Sequence, residues 1–425
     1  MKKKVLSVLL CVGMIASLAA GCGGKKADDG GSGSDSKDSG KKLVYWSMWE
    51  SSEPQGMVIQ EAIKRYEKET GVKVDVQFKG RTGQREGLEP ALNGGQTIDV
   101  FDEDVNRVNG TWGSYIMDLE DLAKDYEEKY GNETLFQIAR NAGGGTLKSI
   151  PYQPSIFGFM YNKALFDKAG VTEAPKTWAE FDAVCQKLKD AGITPITADD
   201  AYMTCFSGYH LARYVGQDRV KEIVKNGEWD DPAVLKMAQD LEGFAKKGYF
   251  TENIASNVFP AGQNTEFAVG EAAIVIDGTW LPNEIKDTAA EDFEYGYFNY
   301  PTIDGGKDDN TANNIANQVL AINKDSKMSE EAMEFITYLT TGESDIAFTE
   351  DALCIPADKN NADKWPKQLE LAKEGFDATT SFYDWACGIE ENANVTPAIK
   401  EGTQKLLGGT IDAQGFVDEM KAAGK

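Results

Sequence analysis

Hydrophobic and polar positions over residues 43–101 predict strands and helices in alternation. Residues 43–46 form an apolar run typical of a buried strand, and apolar residues alternate with polar ones over 72–78, as in a half-buried strand. Apolar residues recur at helical spacing over 58–66, and a shorter helix over 85–92 precedes a strand over 98–101. This order of strands and helices indicates a parallel α/β sheet, because parallel strands need crossover connections.

Two helix starts carry capping signatures. Ser52 is followed three residues later by Gln55, with a proline where a first helical turn tolerates one, so we expect the first helix to begin near Ser52. Thr177 and Glu180 form a second capping box. The apolar spacing of the helix that follows predicts Trp178 to be a core residue.

The same rhythm returns later in the chain, with an apolar strand over 272–276 and a helix over 330–338. Turn-like passages at 151–154, 300–306 and 354–356 are interpreted as crossings between two lobes. The predicted fold class is therefore α/β, with two discontinuous α/β lobes joined by three crossovers around a ligand cleft. The predicted division assigns 43–152 and 303–353 to the first lobe, and 153–302 and 354–425 to the second.

The N-terminus predicts export. Three lysines precede an apolar run over 5–20, which is shorter than the roughly 20 residues of a membrane-spanning helix and typical of a cleaved signal. Small residues then lead to Cys22, which resembles the lipidated cysteine of the bacterial lipobox, although Ala19 stands where that motif usually has Leu. We predict a signal peptide over 1–21 and a Gly/Ser/Asp/Lys-rich tether over 22–42. The alternative is a secreted protein with an incidental Cys22.

The charge of the chain limits its partners. Its formal net charge is −25, and loss of three lysines with the signal would make the exported form −28. Such acidity disfavours nucleic acid and anionic membrane surfaces, which require basic patches. We therefore predict membrane attachment through the lipid only and no nucleic-acid partner.

Four cysteines remain after Cys22, namely Cys185, Cys205, Cys354 and Cys387. They show no C-x-x-C pair and no zinc-like spacing. The helical spacing around Cys185 predicts a buried free thiol, while pairing of any two of these cysteines stays open from sequence.

Several passages, in order along the chain, resemble the extracellular solute-binding proteins (family 1 type) of carbohydrate ABC transporters, which in this form are bacterial lipoproteins. The first match is the strand and loop over 43–50, with the sequence LVYWSMWE. Further matches lie at 67–74, 92–100, 151–152, 161–166, 175–181, 267–273 and 277–280.

This resemblance implies a periplasmic-binding fold of type II, whose two lobes close on a sugar by hinge motion. It also implies an ABC permease and a cytoplasmic ATPase as partners, a monomer, and a position on the extracellular face of the cell membrane, anchored through Cys22. The ligand would be a mono- or oligosaccharide, with no cofactor and no metal.

Sugar sites combine aromatic platforms with paired carboxylates and amides, because sugars present apolar C–H faces and a rim of hydroxyls. Open α/β sheets place such groups in the loops after strands. On these grounds the candidate ligand-binding residues are Trp46, Trp49, Glu50, Arg81, Asp102, Glu103, Tyr152, Gln153, Trp280, Asn313, Asn314, Asn317, Tyr383, Asp384 and Trp385.

Rival functions have weaker support in the sequence. A secreted glycoside hydrolase would use similar aromatic residues, but no local signature singles out its two carboxylates. A Ser-His-Asp hydrolase would need His210, the only histidine, which lies in a predicted helix without a nucleophile elbow. The acidic start at 102–106 imitates a calcium loop but lacks its glycine and closing Glu. An amino-acid or peptide receptor of the same fold and a non-enzymatic adhesin or scaffold are the remaining alternatives. We predict a binding protein and no enzyme.

Overall fold

The computed structural model describes residue 40 and residues 42–424. The predicted signal peptide, Cys22 and most of the predicted tether lie outside these residues. None of the described helices is both long enough and apolar enough to span a bilayer.

Nine strands and sixteen α-helices make up the regular structure of the described part of the chain. The strands are β1 (Lys42–Ser47), β2 (Lys73–Phe78), β3 (Val100–Asp104), β4 (Ile150–Asn162), β5 (Thr194–Thr197), β6 (Ala272–Gly278), β7 (Tyr295–Phe298), β8 (Ala312–Ile322) and β9 (Ser381–Phe382). The helices are α1 (Pro54–Thr70), α2 (Gly80–Asn93), α3 (Lys124–Tyr130), α4 (Glu133–Ala142), α5 (Lys163–Lys168), α6 (Trp178–Asp190), α7 (Thr204–Val215), α8 (Gln217–Asn226), α9 (Pro232–Lys246), α10 (Ala261–Ala268), α11 (Leu281–Ile285), α12 (Ser329–Thr340), α13 (Gly342–Ala352), α14 (Ala372–Asp377), α15 (Thr396–Leu407) and α16 (Ala413–Ala423).

The main path of the sheet has the strand order β2-β1-β3-β8-β4-β6-β5. β1 pairs in parallel with β2 and β3, and β5 pairs in parallel with β6, as crossover helices require. β8 runs antiparallel to both β3 and β4, and β4 runs antiparallel to β6, so β8 and β4 together join the two parallel parts.

Two hydrophobic cores flank this sheet. β4 contributes Tyr152 to the first core and Phe159 to the second, while β8 contributes Ala312 to the second and Val319 to the first. Both strands thus contribute side chains to both cores, as the predicted two-lobed α/β arrangement requires.

The changes between cores do not all fall at turn-like passages of the sequence. Residues 300–306 pack on the second core, where the Arg213 side chain donates to the carbonyl oxygens of Tyr300 and Pro301, and the crossing lies later, in β8. Near the C-terminus, Phe376 still belongs to the first core and Tyr383 to the second. The turn residues at 300–306 mark a loop within one lobe, because glycine and proline identify turns without saying which core a turn serves.

Of the two predicted helix caps, one is confirmed and one is wrong. The Thr177 capping box is confirmed: the Thr177 side chain accepts from the Glu180 backbone N–H at 3.2 Å, and the Glu180 carboxylate accepts from the Thr177 N–H at 3.0 Å. The cap predicted at Ser52 is wrong, because α1 begins at Pro54 with Glu53 as its N-cap. The Glu53 carboxylate accepts instead from the Glu50 backbone N–H at 2.7 Å.

Candidate ligand-binding cleft

A cavity of about 1020 Å³ lies where the two lobes meet. Side chains from β3, the turn after it and α4 form one side, residues near β5, α7 and β9 form the other, and β8 crosses between them. Its size falls at the upper end of the range usual for small-molecule sites. The lining residues are Arg85, Asp104, Val105, Asn106, Arg107, Ile138, Asn141, Ala142, Tyr202, Gln217, Asn314, Ile315, Ala316, Phe382, Tyr383, Asp384, Trp385, Glu390 and Lys400.

The floor of the cleft is polar and incompletely hydrogen-bonded. Gln318 of β8 is opposite both Asp104 of β3 and Gln153 of β4, so the three side chains share one face of the sheet. Phe157 and Asn314 are likewise opposite each other. The buried atoms Gln153 Nε2, Gln318 Oε1 and Asn314 Oδ1 have no hydrogen-bond partner among the described residues. Since buried polar groups are normally paired, these amides are candidates for contact with a polar ligand or water.

Asp102, a predicted ligand residue, is instead fully buried behind the first-lobe wall. Its carboxylate accepts from Tyr45 Oη at 2.8 Å, Tyr152 Oη at 2.6 Å, the Met48 backbone N–H at 2.7 Å and Ser47 Oγ at 3.2 Å. Burial raises the pKa of Asp102 to about 6, opposed by these hydrogen bonds. Asp102 therefore ties β1, β3 and β4 together and offers no free oxygen to the cleft.

The neighbouring Glu103 reaches the cleft only through Arg85. Both carboxylate oxygens of the buried Glu103 accept from Arg85, from Nε at 3.1 Å and Nη2 at 2.9 Å. This hydrogen bonding raises the pKa of the Arg85 guanidinium. The exposed Arg85 lines the cavity, whereas the predicted Glu103 does not.

Trp49 and Arg81 lie close together near the end of β1. The indole N–H of the buried Trp49 donates to Tyr152 Oη at 2.7 Å, and the Arg81 guanidinium stands 4.6 Å above the Trp49 ring. Arg81 also donates to the Glu53 carboxylate at 2.8 Å. The ring face of Trp49 is thus already covered by a cation.

Trp46 and Glu50 complete this edge of the first lobe. Trp46 is buried, and the Lys79 ammonium lies 3.7 Å from its ring centroid. Glu50 is exposed at the end of β1. Neither Trp46 nor Trp49 is an open platform in this structure.

The second-lobe wall is aromatic. The half-buried Trp280 and Trp385 both pack against Phe157, with ring centroids at 5.9 and 5.0 Å. Tyr202 lies beside both, at 6.3 and 5.8 Å, and its hydroxyl accepts from the Trp280 indole N–H at 3.3 Å. The Trp280 ring also lies over Gly278, where an added Cβ would come within 2.2 Å of it. Two predicted residues, Trp280 and Trp385, thus share an aromatic cluster with Tyr202, which the sequence analysis did not single out.

Tyr383 and Asp384 follow β9 and line the same cavity. The Tyr383 hydroxyl donates to Asp308 at 2.8 Å, and its ring lies 5.3 Å from the Arg213 guanidinium. Asp384 forms an ion pair with Lys221. Both residues are thus held in place from the second lobe.

The predicted amide loop is part of β8, and its three asparagines differ. Asn314 lines the cavity and donates to the Tyr383 carbonyl at 2.7 Å. Asn313 is buried and donates to Asn310 O and Thr379 Oγ1 at 2.7 and 3.0 Å. Asn317 is fully buried, with neither amide atom paired within the described residues. Alternation along the strand places only Asn314 on the floor face.

Several cavity residues gave no signal in the sequence. Arg107, Asn141 and Lys400 are polar side chains in helical or turn segments, a pattern that solvated surfaces share. Only the pairing of β3 with β8 and the packing of the two lobes bring such distant positions together. The register of β8, which places Gln318 opposite Asp104 and Gln153, was not predictable from sequence.

A second cavity of about 820 Å³ lies within the second lobe, beside Trp178, Tyr214 and Asp240. Trp178, predicted to be a core residue, is instead half-buried: it stacks on Phe244 at 4.2 Å against the second core and also lines this cavity. The buried His210 is hydrogen-bonded to Asp240 Oδ2 at 2.9 Å, and burial lowers its pKa. This histidine therefore has a structural partner.

Among residues 42–424, no cluster of three or more His, Cys, Asp or Glu side chains is arranged to hold a metal ion. Cys185, Cys205, Cys354 and Cys387 are free thiols, and Cys185 is buried as predicted.

Two lobes joined by continuous strands around a polar and aromatic cleft define the class of hinged solute receptors. Residues 50–345 match the family described as bacterial extracellular solute-binding protein, and the chain belongs to this family. The family resemblance and fold class expected from sequence are confirmed, and the chain is a binding protein rather than an enzyme.

Individual relatives share about a quarter of their residues with this chain. The galactooligosaccharide-binding protein of Bacillus subtilis strain 168 is 24% identical over 100% of this chain and 97% of its own length. The maltooligosaccharide ABC transporter solute-binding lipoprotein of Streptococcus pneumoniae strain R6 is 26% identical over 72% of this chain and 69% of its own. A solved chitin oligosaccharide binding protein superposes with a TM-score of 0.70 at 23% identity, covering 90% of this chain and 98% of that one.

Proposed function

We propose that this chain binds an oligosaccharide in the interlobe cleft and delivers it intact to an ABC permease. The observation that carries the proposal is the combination, in one 1020 Å³ cleft, of half-buried Trp385 with Asn314, whose buried Oδ1 has no hydrogen-bond partner among the described residues. Aromatic faces suit sugar C–H surfaces, and amides both donate to and accept from hydroxyls. Relatives that are named for galactooligosaccharide and maltooligosaccharide support the same ligand class.

Within the cleft, we assign direct ligand contact to three groups. Trp280 and Trp385 are platforms, Gln153 and Asn314 supply amides from the floor, and Asp384 supplies a carboxylate. We assign no direct ligand contact to the other predicted residues. The first-lobe residues are Trp46, Trp49, Glu50, Arg81, Asp102, Glu103 and Tyr152, and those near the hinge are Asn313, Asn317 and Tyr383.

The strands that connect the two lobes also allow the lobes to close on a ligand. β4 and β8 act as hinge strands together with the segment between Phe376 and Tyr383. A ligand that touches both lobes stabilises the closed form, because it can shift the equilibrium only by binding that form better. The permease then binds the closed form of the receptor.

We further propose that the protein is a monomer held on the extracellular face of the cell membrane through a lipid on Cys22. The lipobox-like sequence supports the anchor, and the lipoprotein relative in Streptococcus pneumoniae supports the location. The proposal predicts metabolic labelling with a radioactive fatty acid that is lost in Cys22→Ala.

The function is tested by thermal unfolding of the purified protein with galacto-, malto- and chito-oligosaccharides, amino acids and short peptides. A ligand at 100 times its Kd adds about 2.7 kcal/mol to the free energy of unfolding and raises Tm. We expect a saccharide to raise Tm and to be recovered intact by chromatography. Cleavage products would favour a hydrolase, and a response to amino acids or peptides alone would overturn the sugar assignment.

A further inference from the structure

One exposed aromatic side chain lies just beyond the aromatic wall. Phe259 is 37% exposed, and it is the only aromatic residue among the large hydrophobic side chains found exposed in residues 42–424. Its neighbour Val258 is 61% exposed. Apolar side chains placed together at the surface next to a cleft often mark a binding region.

Hydrogen bonds fix the backbone of this loop. The Asp200 backbone N–H donates to the Asn257 carbonyl at 3.1 Å, and the Phe259 N–H donates to Asp200 Oδ1 at 2.9 Å. The buried Asn257 amide donates in turn to Glu266 at 2.8 Å and to the Ala198 carbonyl at 3.2 Å. The loop therefore holds Phe259 outward in a defined position.

Phe259 is continuous with the cleft through Tyr202. The two rings meet edge to face at 5.5 Å, and Tyr202 also contacts Trp385 at 5.8 Å and Trp280 at 6.3 Å. The partly exposed rings of Phe259, Trp280 and Trp385 thus surround the buried ring of Tyr202. Three platforms match a saccharide of three units, with one unit against each.

We propose that Phe259 forms an outer subsite, and that the ligand is a saccharide of at least three units whose outermost unit stacks on Phe259. This inference rests on the proposed function and adds the length of the ligand to it. Stacking on an exposed ring contributes a modest increment, so Phe259 sets the preference for length rather than the affinity of the inner units.

The test is a chain-length series. Calorimetric titration measures Kd for saccharides of one to four units from the galacto-, malto- and chito-oligosaccharide series, with wild type and Phe259→Ala. In the series that binds, wild-type affinity should rise up to three units or beyond. Phe259→Ala should weaken binding of the longest members roughly 3- to 10-fold and leave the shortest binding member unchanged.

Two variants control the result. Phe259→Tyr keeps the ring and should restore the preference for length. Leu371→Ala removes another exposed apolar side chain, 48% exposed and outside the cavity lining, and should change no affinity. Equal weakening of short and long saccharides by Phe259→Ala, or no gain with length in wild type, would overturn the subsite. Absence of saccharide binding in all series would instead overturn the proposed function.

Discussion

The two walls of the cleft differ in how their polar groups are used. On the first-lobe wall, Asp102 receives four hydrogen bonds, and the indole N–H of Trp49 is bound to Tyr152. On the second-lobe wall, half-buried tryptophans meet Phe157 and Tyr202 mainly through their rings. A saturated polar network fixes strand ends but has no free group for a ligand, whereas the aromatic wall keeps open ring surface. We propose that the Asp102 network positions the strand ends, and that the aromatic wall supplies the stacking surface for the ligand.

The largest effect should come from Asp102→Ala. This change leaves two tyrosine hydroxyls, a serine hydroxyl and a backbone N–H without their acceptor in a buried site, so the free energy of unfolding should fall by about 3–5 kcal/mol. Calorimetric unfolding at neutral pH measures the loss. A fall below about 1 kcal/mol would show that the first wall does not depend on this network.

A pH-dependent effect should come from Asp199 on the second lobe. Burial, together with Asp200 and Glu284, raises the pKa of Asp199 to about 7 from an ordinary value of 3.8. The folded protein then holds a proton that the unfolded chain has released, so Asp199 lowers stability as pH rises from about 4 to 7. Asp199→Asn does not titrate and keeps an acceptor for the Ala201 N–H, now at 3.0 Å.

Relative to wild type, Asp199→Asn should therefore gain about 2–3 kcal/mol of stability between pH 5 and pH 8. Denaturant unfolding of both proteins at the two pH values measures the gain. A constant difference between the proteins would mean that Asp199 titrates normally.

Ligand affinity should distinguish tryptophans of the two lobes. Trp385→Ala removes a platform of the second-lobe wall and should weaken saccharide binding by about 10- to 30-fold, as expected of a central aromatic contact. Trp365→Ala is the matched control, because Trp365 is also half-buried and packs on Phe376, at 5.5 Å, but lies outside the cavity lining. Both variants should lose some stability, and only the first should lose affinity in calorimetric titration. Equal affinities would remove the aromatic wall from the site.

The smallest effect should come from Asp384→Ala, the counterpart of Asp102→Ala on the opposite wall. The Asp384 side chain is 41% exposed and pairs with Lys221, which also contacts Glu391. Exposed ion pairs contribute little, so the free energy of unfolding of the unliganded protein should change by less than about 1 kcal/mol. A loss as large as that of Asp102→Ala would erase the contrast between the walls.

The sequence predicted the fold better than the site. An apolar run located β1, apolar alternation located β2, and the Thr177 capping box located the start of α6, because these signals are local. The paths of β4 and β8 between the lobes depend on pairing across more than 150 residues of chain, which local patterns do not encode.

For the site, loops after strands pointed to acids and aromatics, but this signal does not separate Asp102 from Trp385. Only the structure reveals that the Asp102 carboxylate accepts four hydrogen bonds, while Trp385 borders the cavity. Asp104 and Gln318 were missed because their proximity follows from the register of β3 against β8.

The most direct test of the account is a crystal structure of the protein with its tightest-binding oligosaccharide. We predict sugar rings stacked on Trp280 and Trp385, with hydroxyls bonded to Gln153 and Asn314 on the floor. A saccharide bound instead in the cavity beside Trp178, with the interlobe cleft free of sugar, would contradict it.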